Sequence, residues 1–206
     1  MSTRADLENF WKGEFGNEYV DRHEAERLVP AKNFQFQTML EKVEGLQSVI
    51  ELGTNRGYNL QAIHEMVPDV ELHGVEINDV AVEIVRQQPG VNSVFHGSLF
   101  DAPEDRTYDL SFTTCVLIHI GPDMIQEAYH KLYRLSHRYI LMCEYHNPTP
   151  VMVTYRGHEN RLFKRDFAGE ILDLYPDLSL VDYGFFYSRD PRYGLTDTNY
   201  FLLEKK

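Results

Sequence analysis

Ser48-Val49-Ile50-Glu51-Leu52-Gly53-Thr54-Asn55-Arg56-Gly57-Tyr58-Asn59 is the stretch on which the fold turns. A short apolar run bounded by glycines reads as a buried strand, a tight turn and the start of a helix. Downstream, Leu72-His73-Gly74-Val75-Glu76-Ile77-Asn78 reads as a second strand that ends in a carboxylate. Together these form half of a nucleotide-binding α/β unit. In such a unit the ligand lies over the strand ends, the turn lets its backbone approach, and the second acid takes ribose hydroxyls. The plainer alternative is that Gly53 and Gly57 only turn the chain and that Glu76 caps the helix opening at Asn78-Asp79. Turn, spacing and acid agree with one another, which favours binding.

The turn also selects the ligand. A dinucleotide fingerprint places glycine at three positions, so that pyrophosphate can rest on backbone N–H groups. Here Asn55 stands where the middle glycine belongs, and Asn tolerates left-handed backbone. Glu51, just before the turn, repels a pyrophosphate but suits a ligand carrying an ammonium and a sulfonium, as S-adenosylmethionine does. Glu51-Leu52-Gly53-Thr54-Asn55-Arg56-Gly57 resembles the first motif of the class I S-adenosylmethionine-dependent methyltransferases. The resemblance implies a cofactor held by Glu51, Gly53, Asn55 and Gly57, with Glu76 and Ile77 at the end of the second strand.

With 206 residues and 43% hydrophobic content, the chain is expected to form one domain with a sizeable core. No apolar run reaches membrane-span length and the first residues lack a signal-peptide core, so a cytoplasmic protein is expected. A net charge of −12 argues against nucleic acid and anionic membranes as partners and points to a small-molecule acceptor. Cys115 and Cys143 are too few for a disulfide framework and show no metal-ligand spacing; each reads as a small core residue, and no metal site is expected. A homodimer is left open.

Strands expected at 48–52, 71–76, 93–96, 110–114 and 139–144 alternate with helices expected at 58–66, 79–86, 123–134 and 166–174. This order predicts a doubly wound, mainly parallel, seven-stranded sheet with a Rossmann-like arrangement. Runs at 178–187 and 198–204, joined by a short turn-rich segment, predict an antiparallel C-terminal hairpin. Residues 1–45 read as a helical cover, its last helix opened by Pro30, and 46–206 as the catalytic α/β core.

The remaining chemistry is expected in loops after the strand C-termini. In the methyltransferase pattern Ser98 and Leu99 meet the adenine, although Ser98 reads equally as a turn cap. Thr114-Cys115-Val116-Leu117-Ile118-His119 resembles the segment that flanks the transferred methyl group. His119 is the leading catalytic candidate: an imidazole with a pKa of about 6.5 can take a proton from an attacking hydroxyl or amine. It can equally pack beneath the cofactor. The segment 144–165 reads as a loop at the ligand edge, with His146 as a second candidate base and Glu144, Tyr155, Arg156, His158 and Arg165 as acceptor-binding residues. Its basic side chains, including Arg161 and Lys164, suit a carboxylate or phosphate, or else form a solvated surface patch.

A narrower resemblance covers nearly the whole chain. Asn9-Phe10-Trp11-Lys12-Gly13-Glu14-Phe15-Gly16-Asn17-Glu18-Tyr19, Tyr155-Arg156-Gly157-His158 with Leu162-Phe163-Lys164-Arg165-Asp166-Phe167, and Val181-Asp182-Tyr183-Gly184-Phe185 with Asp190-Pro191 are similar to methylases associated with pseudaminic acid biosynthesis. That likeness implies methyl transfer to a sugar, nucleotide sugar or similar polar, anionic metabolite. Trp11, Phe15 and Tyr19 then belong to a cover over the cofactor, where aromatic faces favour a sulfonium, with ordinary core packing of an amphipathic helix as the competing account. The competing readings are a nicotinamide-dependent reductase and a cofactor-binding partner subunit without activity.

Overall fold

The computed structural model describes residues 3–22 and 25–206, with the backbone alone for 25–27. Five strands form a parallel array: β1 (Ser48–Leu52), β2 (Glu71–Glu76), β3 (Val91–His96), β4 (Tyr108–Thr114) and β5 (Ser136–Glu144). The C-terminal strands β8 (Leu178–Phe186) and β9 (Thr198–Lys205) pair antiparallel with each other, and β9 inserts beside β5. The sheet order is β3-β2-β1-β4-β5-β9-β8. This is the expected seven-stranded, mainly parallel sheet with an antiparallel C-terminal pair.

β1 is buried along its whole length, as a central parallel strand covered on both faces must be. Helices α6 (Ile125–Leu135) and α7 (Phe167–Leu174) pack one face around Ile50, Leu52, Ile140 and Met142. Helices α3 (Ala25–Met39) and α4 (Tyr58–Met66) pack the other, where Phe36 meets Phe112 edge-on at 5.5 Å beside Leu60 and Leu110. Helix α5 (Asp79–Val85) follows β2 and is capped by Asn78, whose side chain accepts from the Ala81 N–H.

Two helices precede the core, α1 (Arg4–Lys12) and α2 (Glu14–Asp21), parted at Gly13. Thr3 starts α1 with a reciprocal cap, its hydroxyl accepting from Asp6 N–H while the Asp6 carboxylate accepts from Thr3 N–H. Pro30 does not open the third helix. It sits inside α3, which already begins at Ala25. The segment expected as a loop after β5 is also ordered differently. β6 (Val151–Tyr155) and β7 (His158–Lys164) form a separate two-stranded hairpin. Val151, Val153, Thr154 and Tyr155 are strand formers. The two linking residues, Arg156 (φ 48°) and Gly157 (φ 85°), both take left-handed backbone, the requirement of a tight hairpin turn.

Candidate active site

The C-terminal ends of β1, β2 and β4, roofed by α1 and α2, enclose a cavity of about 780 Å³. Its geometry begins at the β1–α4 turn. Gly53 (φ 81°), Asn55 (φ 46°) and Gly57 (φ 80°) all take left-handed backbone. The N–H groups of Gly53 and Thr54 donate to the Val75 carbonyl at 2.8 and 3.1 Å, which ties the turn to β2. A Cβ on Gly53 would stand 2.6 Å from Val116 Cγ2, so this turn and the one after β4 approach too closely for a side chain.

Glu76 holds that turn in place. One carboxylate oxygen accepts from Asn55 N–H at 2.6 Å, and the other accepts from Ile77 and Asn78 N–H, both at 2.8 Å. Burial raises its pKa, and the three backbone donors work against that rise. Glu76, Ile77, Gly53 and Asn55 all line the cavity. Gly57 caps α4 behind the turn, without lining the cavity. Glu51 stands back as well: it is fully buried, accepts from Asn59 Nδ2 at 2.5 Å, and desolvation pushes its pKa up to about 8. Asn59 is the residue that faces the cavity. Sequence reading passed over it because an Asn in the first turn of a helix carries no distinctive signal.

After β3, Ser98 and Leu99 line the cavity, and Ser98 also caps the short 3-10 turn Leu99–Asp101. After β4, Thr114, Cys115 and Val116 line it. Cys115 is left-handed (φ 56°), and burial holds its thiol protonated. Glu144 is not at the cavity. It lies buried under the 3-10 turn Leu117–His119 and accepts from Val116, Leu117 and Ile118 N–H at 3.1–3.4 Å, with its pKa pushed up to about 7 by burial. Its work is to hold the turn that carries His119. Nothing short of the tertiary contact between β5 and that turn could assign it.

His119 does line the cavity, with Trp11 4.6 Å and Tyr155 4.9 Å away between ring centroids. Its Nδ1 is 2.6 Å from the Arg161 carbonyl oxygen, which can only accept. The proton therefore sits on Nδ1, and Nε2 carries the lone pair. Burial pulls the pKa down to about 4, so the ring is neutral near pH 7. Trp11 joins an aromatic cluster with Phe15 and Tyr19, and Phe10 and Phe15 carry the cluster on to His158 of the hairpin.

The basic segment is not one pocket. Tyr155 and Arg156 reach the cavity. Arg165 is committed to Glu170 at 2.7 Å, and Lys164 lies over the Tyr145 ring. His158 packs on the rings of Phe10 and Phe15. His146 lies outside the cavity, 3.7 Å from Asp166 and beside Phe201, so the structure gives it no access to a reacting atom there. Tyr145, which hydrogen-bonds Thr196 at 2.8 Å, lines the cavity in its place.

Residues 49–138 match the family described as a methyltransferase domain. No curated protein matches the chain. Among solved structures, the magnesium protoporphyrin IX methyltransferase of Synechocystis PCC 6803 with bound SAM superposes with a TM-score of 0.69 at 12% identity, covering 100% of this chain and 98% of that one. The 1,6-didemethyltoxoflavin-N1-methyltransferase of Burkholderia thailandensis, with bound 1,6-didemethyltoxoflavin and S-adenosylhomocysteine, gives 0.77 at 12% identity, covering 100% and 92%. An amino pentose methyltransferase of Micromonospora echinaspora gives 0.63 at 9% identity, covering 93% and 96%. The chain has the fold of these methyltransferases, and its methyltransferase-domain match spans the strands β1, β2 and β4 that build the cavity.

Proposed function

We propose that the protein is an S-adenosylmethionine-dependent methyltransferase acting on a small polar, anionic acceptor of the sugar or nucleotide-sugar kind. The observation that carries the cofactor reading is a set of buried polar atoms with no partner in the protein. Thr54 Oγ1, Asn55 Oδ1, Asn59 Oδ1 and Thr114 Oγ1 belong to residues lining the cavity, and Oε2 of Glu51, whose other oxygen accepts from Asn59, is unpaired too. Buried polar atoms left unpaired cost free energy, so a cluster of them at one cavity points to a ligand that pairs them. An ammonium, a carboxylate and ribose hydroxyls are the groups this set and Glu76 can pair. A cavity of about 780 Å³ has room for a nucleoside cofactor and a small acceptor together.

When bound, S-adenosylmethionine supplies an electrophilic methyl group on a sulfonium. The protein's part is to position and to exclude water. Glu76 offers the remaining lone pairs of its carboxylate to ribose hydroxyls, while Ser98 and Leu99 border the base. Trp11 and Tyr19 roof the cavity with aromatic faces that favour positive charge. His119, neutral and presenting Nε2, is the group placed to take a proton from an acceptor hydroxyl or amine. Its basicity is low, so holding the acceptor close supplies more of the rate than proton removal does. Arg156 is the cation on the hairpin that supports an anionic acceptor.

Isothermal titration with S-adenosylmethionine, S-adenosylhomocysteine and NADH tests the reading. Micromolar binding of the two sulfur nucleosides and none of NADH is the expected result. Binding of NADH alone would replace this reading with a reductase.

A further inference from the structure

Asn78 does more than cap a helix. Its backbone N–H donates to Glu76 at 2.8 Å and its side-chain oxygen caps α5 through Ala81 at 3.0 Å. Its side-chain nitrogen then donates twice into the cover, to the Trp11 carbonyl at 3.0 Å and to Asn17 Oδ1 at 2.8 Å. Asn78 is 3% exposed, so its amide nitrogen is shielded from bulk water, although its acceptor Asn17 lies at the surface. Gly16 completes the fit, because a Cβ there would fall 2.6 Å from the Trp11 carbonyl carbon and 3.0 Å from Asn78 Nδ2.

Among the described residues, Arg4 and Arg56 also tie the cover to the core. Arg4 reaches Asp101 across exposed surface, where an ion pair contributes little. Arg56 donates to the Val20 carbonyl at 3.1 Å. Asn78 is thus a buried polar joint between the cover and the core, and it adjoins the carboxylate assigned to the ribose. Beyond it, Trp11 lies against His119.

We propose that Asn78 is a positioning residue, a latch that couples occupation of the nucleoside end of the cavity to closure of α1 and α2 over His119. The inference rests on the cofactor reading above. A ligand that fixes the Glu76 carboxylate fixes the backbone of Ile77 and Asn78, and with it the donor that holds Trp11 and Asn17. By linkage, breaking the latch weakens the ligand as much as the ligand strengthens the latch.

Trp11 is the single tryptophan of the chain, so its fluorescence reports the cover directly. Two variants separate the latch from folding. Asn78→Ser keeps a helix cap but cannot span to the cover, and Asn17→Ala removes one exposed acceptor without touching α5. Acrylamide quenching of Trp11 is read with and without S-adenosylhomocysteine, beside calorimetric affinity and a thermal melt. In both variants Trp11 is expected to be more quenchable before any ligand is added. S-adenosylhomocysteine is expected to bind about five- to tenfold more weakly, with the Asn17→Ala melt unchanged. A wild-type protein that binds this nucleoside, with variants equal to it in affinity and quenching, overturns the latch alone. Failure of the wild-type protein to bind it overturns the cofactor reading and the coupling together.

Discussion

Replacing Glu76 by glutamine removes one charge and one acceptor while keeping the side chain's shape. In the wild-type protein one oxygen serves Asn55 N–H at 2.6 Å and the other serves Ile77 and Asn78 N–H at 2.8 Å. The amide oxygen of Gln can retain the pair at 77 and 78, but its NH2 then opposes the Asn55 N–H, donor against donor. Leaving that buried donor unsatisfied costs about 1–3 kcal/mol, and a ligand hydroxyl that loses a charged acceptor forfeits about 1.5–3 kcal/mol. Part of the first cost is already felt in the free protein, as a loosened left-handed Asn55 turn. A net binding loss of about 2–4 kcal/mol remains, or about thirty- to a thousandfold in Kd. Global stability should change less, because burial already disfavours the Glu76 charge that the variant removes. The assay is calorimetric titration of both proteins with S-adenosylhomocysteine, with denaturant unfolding as the control. A Gln variant that binds within threefold of the wild type refutes the assignment of Glu76 to the ribose.

Glu51 makes stability pH-dependent. Its folded pKa of about 8 lies above the ordinary 4.5, so its contribution is present at low pH and is lost as pH rises through about 8. Melting temperature should fall from about pH 4.5 upward and level off above about pH 8. In Glu51→Gln that fall should level off once Glu144, with its pKa of about 7, has ionised. An equal fall in the variant removes Glu51 as its source. His119, with its pKa pulled down to about 4, is neutral above that value, so activity attributable to it is lost only as pH falls through about 4. His119→Ala should lower kcat about 10²-fold or more while S-adenosylhomocysteine affinity holds. A rate limb near 6.5 that vanishes in this variant would show a solvated histidine instead. Gly53→Ala places a Cβ against Val116 on a backbone with φ 81°, and left-handed strain alone costs about 1–2 kcal/mol. Its melting temperature and its nucleoside affinity should both drop, by more than tenfold for the latter.

Local patterning carried most of the fold. Five apolar-framed residues before Gly53 specify a strand, and the spacing of Gly53, Asn55 and Gly57 specifies a turn whose backbone dihedrals require those residue types. Both statements concern neighbours in the chain, which is why sequence could make them. The hairpin of β6 and β7 escaped because its turn is Arg-Gly, which lacks the familiar Asn-Gly signal, and because two prolines precede it. Its basic residues, adjacent in sequence, part where the strand ends. Lys164 ends β7 and lies over Tyr145, while Arg165, just past the strand, pairs with Glu170 of α7.

The sequence by itself determined the alternating α/β order, the glycine-bearing turn after β1 and the acid that closes β2, since each depends on periodicity, turn chemistry or short-range spacing. Only the tertiary structure decided which polar residues face the cavity. Glu51 and Glu144 are both acids at the ends of buried strands, yet one lies behind Asn59 and the other beneath the turn that carries His119. Asn78 and Trp11, far apart in the chain, meet because helix packing closes the cover over the strand ends. Such partnerships depend on the three-dimensional path of the chain, and no spacing along it encodes them.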